Sequence, residues 1–264
     1  MDWWWAYLAV GVFVGFFSGL LGIGGGAAMV PLLAFIFAAK GFAAQYTVHL
    51  ALGTCVAAIM FTAVSSARSH HRHKAVNWGI LRRLFPGVIV GALAGAVLAR
   101  FSSERLLAMM FTALVYYAAT LMLIERKPRA ARQGSGGEGM WGIGCIVGLF
   151  SVLTATGGAA MVVAYLVRRN ISVHEAIGTA SAASVCLAFA GTIGYIVSGT
   201  TVAGLPAPSL GFVYLPALAW IVPASMLLAP VGAAVAHRTP GRTLRRVFAF
   251  VLFALATSML LRFF

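Results

Sequence analysis

Two glycine-rich segments interrupt long apolar stretches at matching places in the two halves of this 264-residue chain. Glycine allows positive φ and close backbone approach to a ligand. A helix that begins after such a break presents unpaired N–H groups and the positive end of its dipole, which favours anions. Close helix packing through small residues is the alternative interpretation. The sequence predicts a binding site formed by Gly24, Gly25, Gly26 and Ala27 in the first half and by Thr156, Gly157, Gly158 and Ala159 in the second.

Five further residues are candidates for a part in the same chemistry. Thr54 and Thr179 follow a glycine at equivalent positions, and a hydroxyl can bind an anion without adding charge, although it can also bond to its own helix. His49 and His174 also match, and are either gating or proton-linked groups or residues that flank helix starts at the interface. Pro223 lies in a proline-containing apolar segment that we expect to kink around a cavity, with gating as a hypothesis.

The acidic residues all fall at or outside the ends of the apolar segments. An intramembrane carboxylate is the usual relay for protons or cations, so we expect binding through backbone and hydroxyl dipoles. Residues 70–74 read His-His-Arg-His-Lys, which indicates a solvated basic loop rather than a metal site. The three cysteines show no Cys-x2-Cys spacing. The sequence therefore predicts no catalytic residue, no metal, no cofactor and no enzyme activity.

Composition indicates a polytopic helical membrane protein. The chain is 61% hydrophobic and 9% charged, more apolar than a soluble domain of this length can bury. Its net charge of +14 is concentrated in short loops, which is typical of cytoplasmic loops and not of a nucleic-acid-binding surface. The apolar segments cover residues 3–39, 47–67, 78–99, 106–124, 140–167, 173–198, 212–236 and 244–261, of which the first and fifth are broken.

The two halves are copies of each other. Residues 25–30 and 157–162 are identical, and Pro86–Arg105 aligns without gaps to Pro223–Arg242. Matching blocks in the same order indicate an internal duplication. We predict a first transmembrane repeat over residues 1–124, a cytoplasmic linker over residues 125–139 and a second transmembrane repeat over residues 140–264.

The charges of the loops predict that the repeats are inverted. The loop at Arg68–Lys74 is basic, whereas the equivalent loop, residues 199–211, carries no charge. Loops with opposite Lys/Arg bias lie on opposite sides of a membrane. The prediction is an all-α fold with two inverted-topology repeats, each made of one broken or re-entrant helical hairpin plus three transmembrane helices.

One motif resembles a known family. Ser18-Gly19, Gly22, Gly24-Gly25-Gly26, Val30-Pro31 and Leu33 form a pattern similar to that of the sulfite exporter TauE/SafE family of membrane permeases. The resemblance implies a multi-pass protein of the plasma (inner) membrane that carries sulfur-containing anions such as sulfite, sulfonates or sulfoacetate-like acids. The second copy departs from the pattern, with Val152 for a glycine and Val163 for the proline.

The leading hypothesis is a secondary permease for a small sulfur-containing anion that works by alternating access. An anion channel, or a carrier for a different small organic anion, is the alternative, and a membrane-embedded enzyme is less favoured because it needs a nucleophile, a metal cluster or a buried carboxylate. The expected partners are the substrate and the lipid bilayer, with no nucleic acid. The stripe Gly87, Gly91 and Gly95 lets two helices approach closely, either within a monomer or in a homo-oligomer.

Overall fold

The computed structural model describes residues 3–21, 26–123, 139–236 and 241–263, and this part of the chain is almost entirely α-helical, as predicted. All of the predicted linker except Gly139 lies outside the described residues. The helices are α1 Trp4–Leu21, α2 Gly26–Ala39, α3 Thr47–Arg72, α4 Trp78–Phe101, α5 Glu104–Leu123, α6 Met140–Thr154, α7 Ala159–Arg168, α8 Val173–Thr200, α9 Leu215–Ala236 and α10 Gly241–Phe263.

Short elements precede two of these helices. A single 3-10 turn, Ala44–Tyr46, leads into α3. Before α9, the strands β1 Ser209–Leu210 and β2 Val213–Tyr214 pair antiparallel. The apolar segment expected from residue 212 is therefore helical only from Leu215, because its first residues form the ribbon.

The helices have the length and surface of a membrane protein. Three stretches are long and apolar enough to cross a bilayer, namely Ala44–Arg72, Trp78–Phe101 and His174–Thr200, and six shorter apolar helices accompany them. Large apolar side chains point outward, among them Phe35, which is 69% exposed, and Phe250, which is 75% exposed. Lipid accommodates such a surface, whereas water does not.

Both apolar segments with a glycine-rich centre are divided into two helices. In the second segment, α6 ends at Thr154 and α7 begins at Ala159. In the first, α1 ends at Leu21 and α2 begins at Gly26. Tyr7, near the start of α1, contacts Phe37, near the end of α2, with ring centroids 6.4 Å apart. The first pair therefore folds back as a helical hairpin whose outer ends lie together.

The glycine stripe of α4 forms a contact within the monomer. A Cβ atom at Gly87 or Gly91 would overlap backbone atoms of Trp141 and Cys145 in α6. In the same way, α6 presents Gly144 to the backbone of α4. Small residues on both helices allow their backbones to touch. Of the two placements that the sequence leaves open, the structure has the stripe between α4 and α6.

The most extensive helix contacts are kept when the two halves are exchanged. Helix α6 packs on α4, and the equivalent helix α1 packs on α9. The equivalent helices α3 and α8 contact each other in the core, and α5 contacts α10. The Ser66 hydroxyl bonds to that of Ser181 at 3.3 Å, whereas a Cβ at Gly191 would touch Val56. Residue numbers rise along α3 as they fall along α8, so these two helices are antiparallel.

Candidate functional site

The second break has an unusual backbone conformation. Ala155 has a φ of 46°, Gly157 of 73° and Gly158 of 69°, all in the left-handed region. For alanine this conformation costs about 1–2 kcal/mol, while glycine adopts it readily. The N–H group of Ala155 donates to the carbonyls of Ser151 and Val152 and thereby ends α6. Local strain of this kind is frequent at functional sites.

The N-terminus of α7 carries no side-chain cap. The Gly158 position makes no side-chain capping bond, and Val162 is the first residue whose N–H returns to the Gly158 carbonyl, at 3.1 Å. The N–H groups of the first turn are therefore available, and the dipole adds positive potential in front of them. Thr156 and Ala159 keep part of their surface exposed. This helix start can accept an anion.

Hydroxyl groups surround the same helix start. Ser184 of α8 lies 2.6 Å from the Gly157 carbonyl, to which it donates, and the hydroxyls of Thr154 and Thr156 are 3.1 Å apart. The Ser151 hydroxyl is buried and has no hydrogen-bond partner among the described residues. A Cβ at Gly158 would lie 2.8 Å from this Ser151 oxygen. A buried hydroxyl without a partner is costly, and a bound anion would satisfy it.

The start of α2 and the second break meet against α3. A Cβ at Gly26 would overlap the carbonyl of Ala155, and the Cys55 thiol lies 3.6 Å from the Gly26 carbonyl oxygen and 3.9 Å from that of Ala155. Ile59 is 3.5 Å from the position of a Cβ at Gly157. Of the predicted glycines in the first break, Gly26 is therefore at the second break, next to the partly exposed Ala27. Gly24 and Gly25 lie outside the described residues.

Thr54 and Thr179 each accept a hydrogen bond from a backbone N–H group of the other half of the chain. The Thr54 hydroxyl accepts the backbone N–H of Tyr214 at 2.9 Å, and the Thr179 hydroxyl accepts that of Asn77 at 2.9 Å. Tyr214 and Asn77 come directly before α9 and α4. Both hydroxyls thus hold the start of a helix from the other half of the chain. Their contact with a substrate stays a prediction.

The two matching histidines have different surroundings. His49 is buried, with Nε2 at 2.9 Å from the Ala99 carbonyl oxygen and Nδ1 at 3.7 Å from Oε1 of Glu104. It therefore joins the start of α3 to the end of α4 and the start of α5. His174 is exposed on α8. Gly241 stands in the second half where the first has Glu104, which removes the partner carboxylate.

The remaining candidates concern gating and metal binding. Pro223 lies inside α9, which is helical from Leu215 to Ala236, and its ring is exposed. A role of Pro223, His49 or His174 in gating or proton coupling stays a prediction. Within the described ranges, no group of three or more His, Cys, Asp or Glu residues could hold a metal ion.

The sequence places Ser184, like Cys55 and Ser181, among the small polar groups beside the Gly-Thr pairs, whereas it does not single out Ser151 as a site residue. Ser151 is equivalent to Ser18 in the duplication, and Ser184 follows Thr179 on the same helix. That equivalence is the one signal available for Ser151. The backbone fold of the break, which directs Gly157 toward Ser184 and Gly158 toward Ser151, is what distinguishes these serines from others in the apolar helices.

Comparison with known proteins places this architecture in a family. A family model described as "Sulfite exporter TauE/SafE" matches residues 7–259. A "Probable membrane transporter protein" of Haemophilus influenzae is 32% identical over 257 residues, which covers 97% of each chain.

More distant relatives carry similar names. "Probable membrane transporter protein YdhB" of Bacillus subtilis is 27% identical over 193 residues, covering 70% of this chain and 76% of its own. "Probable membrane transporter protein MJ0441" of Methanocaldococcus jannaschii is 24% identical over 200 residues, covering 73% and 72%. No solved structure matches. Because the family model matches almost the whole chain and supports the motif noted in the sequence, this membrane transporter belongs to the sulfite exporter TauE/SafE family.

Proposed function

We propose that this transporter is a secondary permease for a small sulfur-containing anion, such as sulfite, a sulfonate or a sulfoacetate-like acid, and that the anion binds at the start of α7. The observation that carries the proposal is the uncapped helix start beside the buried, unpartnered hydroxyl of Ser151. Several N–H and O–H donors there suit the oxygens of a sulfite or sulfonate group.

Dipoles rather than charged side chains would bind the substrate. A helix terminus contributes about 0.3–1 kcal/mol to an adjacent anion, and up to about 2 kcal/mol where it is partly buried. Such modest attraction suits a carrier, because a carrier must release its substrate on the far side. The meeting of Gly26, Ala155 and Gly157 against α3 supports one shared site for the two breaks.

We further infer that the two halves form inverted repeats and alternate access to this site. The antiparallel arrangement of the equivalent helices α3 and α8, and the packing that survives exchange of the halves, support the inference. In inverted repeats, each half can adopt the conformation of the other, which opens the site to the opposite side of the membrane. The repeat boundaries, the multi-pass topology and the plasma-membrane location are parts of the same proposal.

Transport by purified protein in liposomes tests the substrate. Sulfite and short sulfonates should cross at a rate that saturates with concentration, and acetate, which has the same charge as a short sulfonate, should compete poorly. Sulfite and sulfonates that neither cross nor compete would contradict the substrate class. Saturable flux of another small organic anion would be consistent with the proposed site but would show that the substrate is a different anion. A large current that does not saturate would indicate a channel.

Variants at the second break test the site. Gly158→Ala places a Cβ at a φ of 69° and 2.8 Å from the Ser151 hydroxyl oxygen, so we expect flux to fall by about 10-fold or more. Ser151→Ala removes one donor without strain, and flux should fall about 5-fold. Gly142→Ala is the matched control, because a Cβ at Gly142 in α6 has open space. Normal flux in both break variants would refute the site.

A further inference from the structure

A pocket lies at the outer ends of the first hairpin, away from the second break. It has a volume of about 350 Å³ and is lined by Trp3, Trp4, Tyr7, Lys40, Tyr214 and Trp220 among others. Helix α1 runs from Trp4 to Leu21, and at 1.5 Å per residue it separates the pocket from the first break by about 25 Å. The pocket is therefore distinct from the site proposed for transport.

The end of α2 holds Lys40 in place. Its backbone N–H donates to the Ile36 carbonyl at 2.9 Å, and the N–H of Phe42 returns to the Phe37 carbonyl at 3.1 Å. Gly41 has a φ of 77°, which permits this turn. The phenyl ring of Phe42 stacks on that of Phe37, with centroids 5.3 Å apart. The lysine thus extends from a defined turn and not from a free loop.

Aromatic rings and one hydroxyl surround the ammonium group of Lys40. Its Nζ lies 5.5, 5.3 and 5.0 Å from the ring centroids of Tyr7, Phe42 and Tyr214. It also donates to the Tyr214 hydroxyl at 3.0 Å. Among the described residues, Lys40 has no carboxylate partner. The ammonium group is therefore surrounded by uncharged rings and a phenol hydroxyl, which attract the positive charge but do not neutralise it.

A second, independent feature points to a ligand. The Tyr7 side chain is only 2% exposed, and its hydroxyl lies near that of Tyr214 but has no partner at normal hydrogen-bond distance among the described residues. Tyr7 lines the pocket together with Lys40. A buried phenol without a partner loses free energy that a bound acceptor would restore. The Tyr214 hydroxyl, which accepts from Lys40, still has its own proton to donate.

We propose that this pocket binds an oxyanion attached to an apolar group, such as an organic sulfonate, carboxylate or phosphate. Lys40, Tyr7 and Tyr214 supply the donors for its oxygens. The indoles of Trp3, Trp4 and Trp220 supply apolar walls, with the Trp4 and Trp220 rings 5.7 Å apart. The same chemistry is present in a free organic acid and in the phosphate of a lipid headgroup. The site does not depend on which substrate the transporter carries.

Calorimetry with the full chain in a phosphate-free detergent tests the pocket, with benzenesulfonate as the anion and benzenesulfonamide as its neutral analogue. Lys40→Gln should weaken benzenesulfonate binding at least about 10-fold, and Tyr7→Phe about 5-fold. Lys74→Gln, which removes an exposed lysine elsewhere, should leave binding within about 2-fold. The sulfonamide should show no dependence on Lys40.

Short-chain phosphatidylglycerol distinguishes the two sources of the anion. If it displaces benzenesulfonate from the wild type and binds Lys40→Gln more weakly, a lipid phosphate shares the site. If it does not compete, the site takes free organic anions. Equal binding of both anions by the wild type, Lys40→Gln and Tyr7→Phe, with all three proteins folded, would overturn the proposal.

Discussion

At the residue scale, the two halves of the chain contribute unequally to the proposed site. Ser184 bonds to the Gly157 carbonyl, whereas Ile59 occupies the equivalent position in α3 and makes apolar contacts with both breaks. Ser151, Thr154 and Thr156 also belong to the second half. The polar groups are therefore concentrated on α6, α7 and α8, and the first half supplies an apolar surface against them.

The Ser184 hydroxyl provides a test of this asymmetry. Ser184→Ala removes the bond to the Gly157 carbonyl, so the break should relax and the anion flux should fall about 5-fold, with a stability loss of about 1 kcal/mol. The same change at Ser181, whose hydroxyl bonds to Ile177 and Ser66, is the matched control. Flux and melting temperature should be measured on both variants, and the fall in flux should appear in Ser184→Ala but not in Ser181→Ala. Equal flux would contradict the role given to Ser184.

At the element scale, the repeated Gly-Thr pairs dock the starts of two helices. A Cβ at Gly53 would overlap the carbonyl of Phe212, and one at Gly178 would overlap that of Ala75. The adjacent threonines accept the N–H groups of Tyr214 and Asn77. The pair in α3 thus lets the segment before α9 touch α3, and the pair in α8 lets the segment before α4 touch α8. These contacts connect the two halves at equivalent places.

Removing one acceptor should destabilise the transporter. Thr54→Val leaves the buried N–H of Tyr214 without its partner, which costs about 1–3 kcal/mol, and Thr179→Val should do the same through Asn77. Thr54→Ser keeps the acceptor and should melt near the wild type. Thr62→Val is the control, since that hydroxyl bonds within its own helix to Ile59. Thermal unfolding in detergent measures the difference. A wild-type melting temperature for Thr54→Val would show that the bond contributes nothing.

At the scale of the whole molecule, the helices of the two halves interleave. Helix α1 packs on α9 and α6 on α4, so the largest contacts of each broken segment are made with the other half. The broken segment of each half is thus held against a helix of the other half. Under the proposed alternating access, α1 would therefore have to move with α9, and α6 with α4.

The proposed inverted topology predicts where single cysteines react. In a background without Cys55, Cys145 and Cys186, a membrane-impermeant maleimide should label Thr200→Cys from outside the cell, because the loop that follows is uncharged. His73→Cys should react only after the membrane is opened, since its loop is basic. Both wild-type side chains are exposed. Labelling of both sites from the same side would rule out the inversion.

Local sequence features were enough to predict the helical class, the position of the second break and the family. Apolar length and glycine runs are local features, so the helix start expected near Ala159 agrees with the observed start of α7. The motif around Gly22 to Leu33 was sufficient to indicate the TauE/SafE family that the comparison confirms.

Which groups face one another could not be predicted from the sequence and is seen in the folded chain. Thr54 and Tyr214 are 160 residues apart, Lys40 and Tyr214 are 174 apart, and no local pattern joins such pairs. Hydropathy likewise could not show that the α4 glycines contact α6. A serine or threonine in an apolar helix can bond to its own backbone, bond to a distant segment or face a ligand. The sequence pattern is the same in all three cases. The three-dimensional path of the chain selects among these because hydrogen bonds act over about 3 Å.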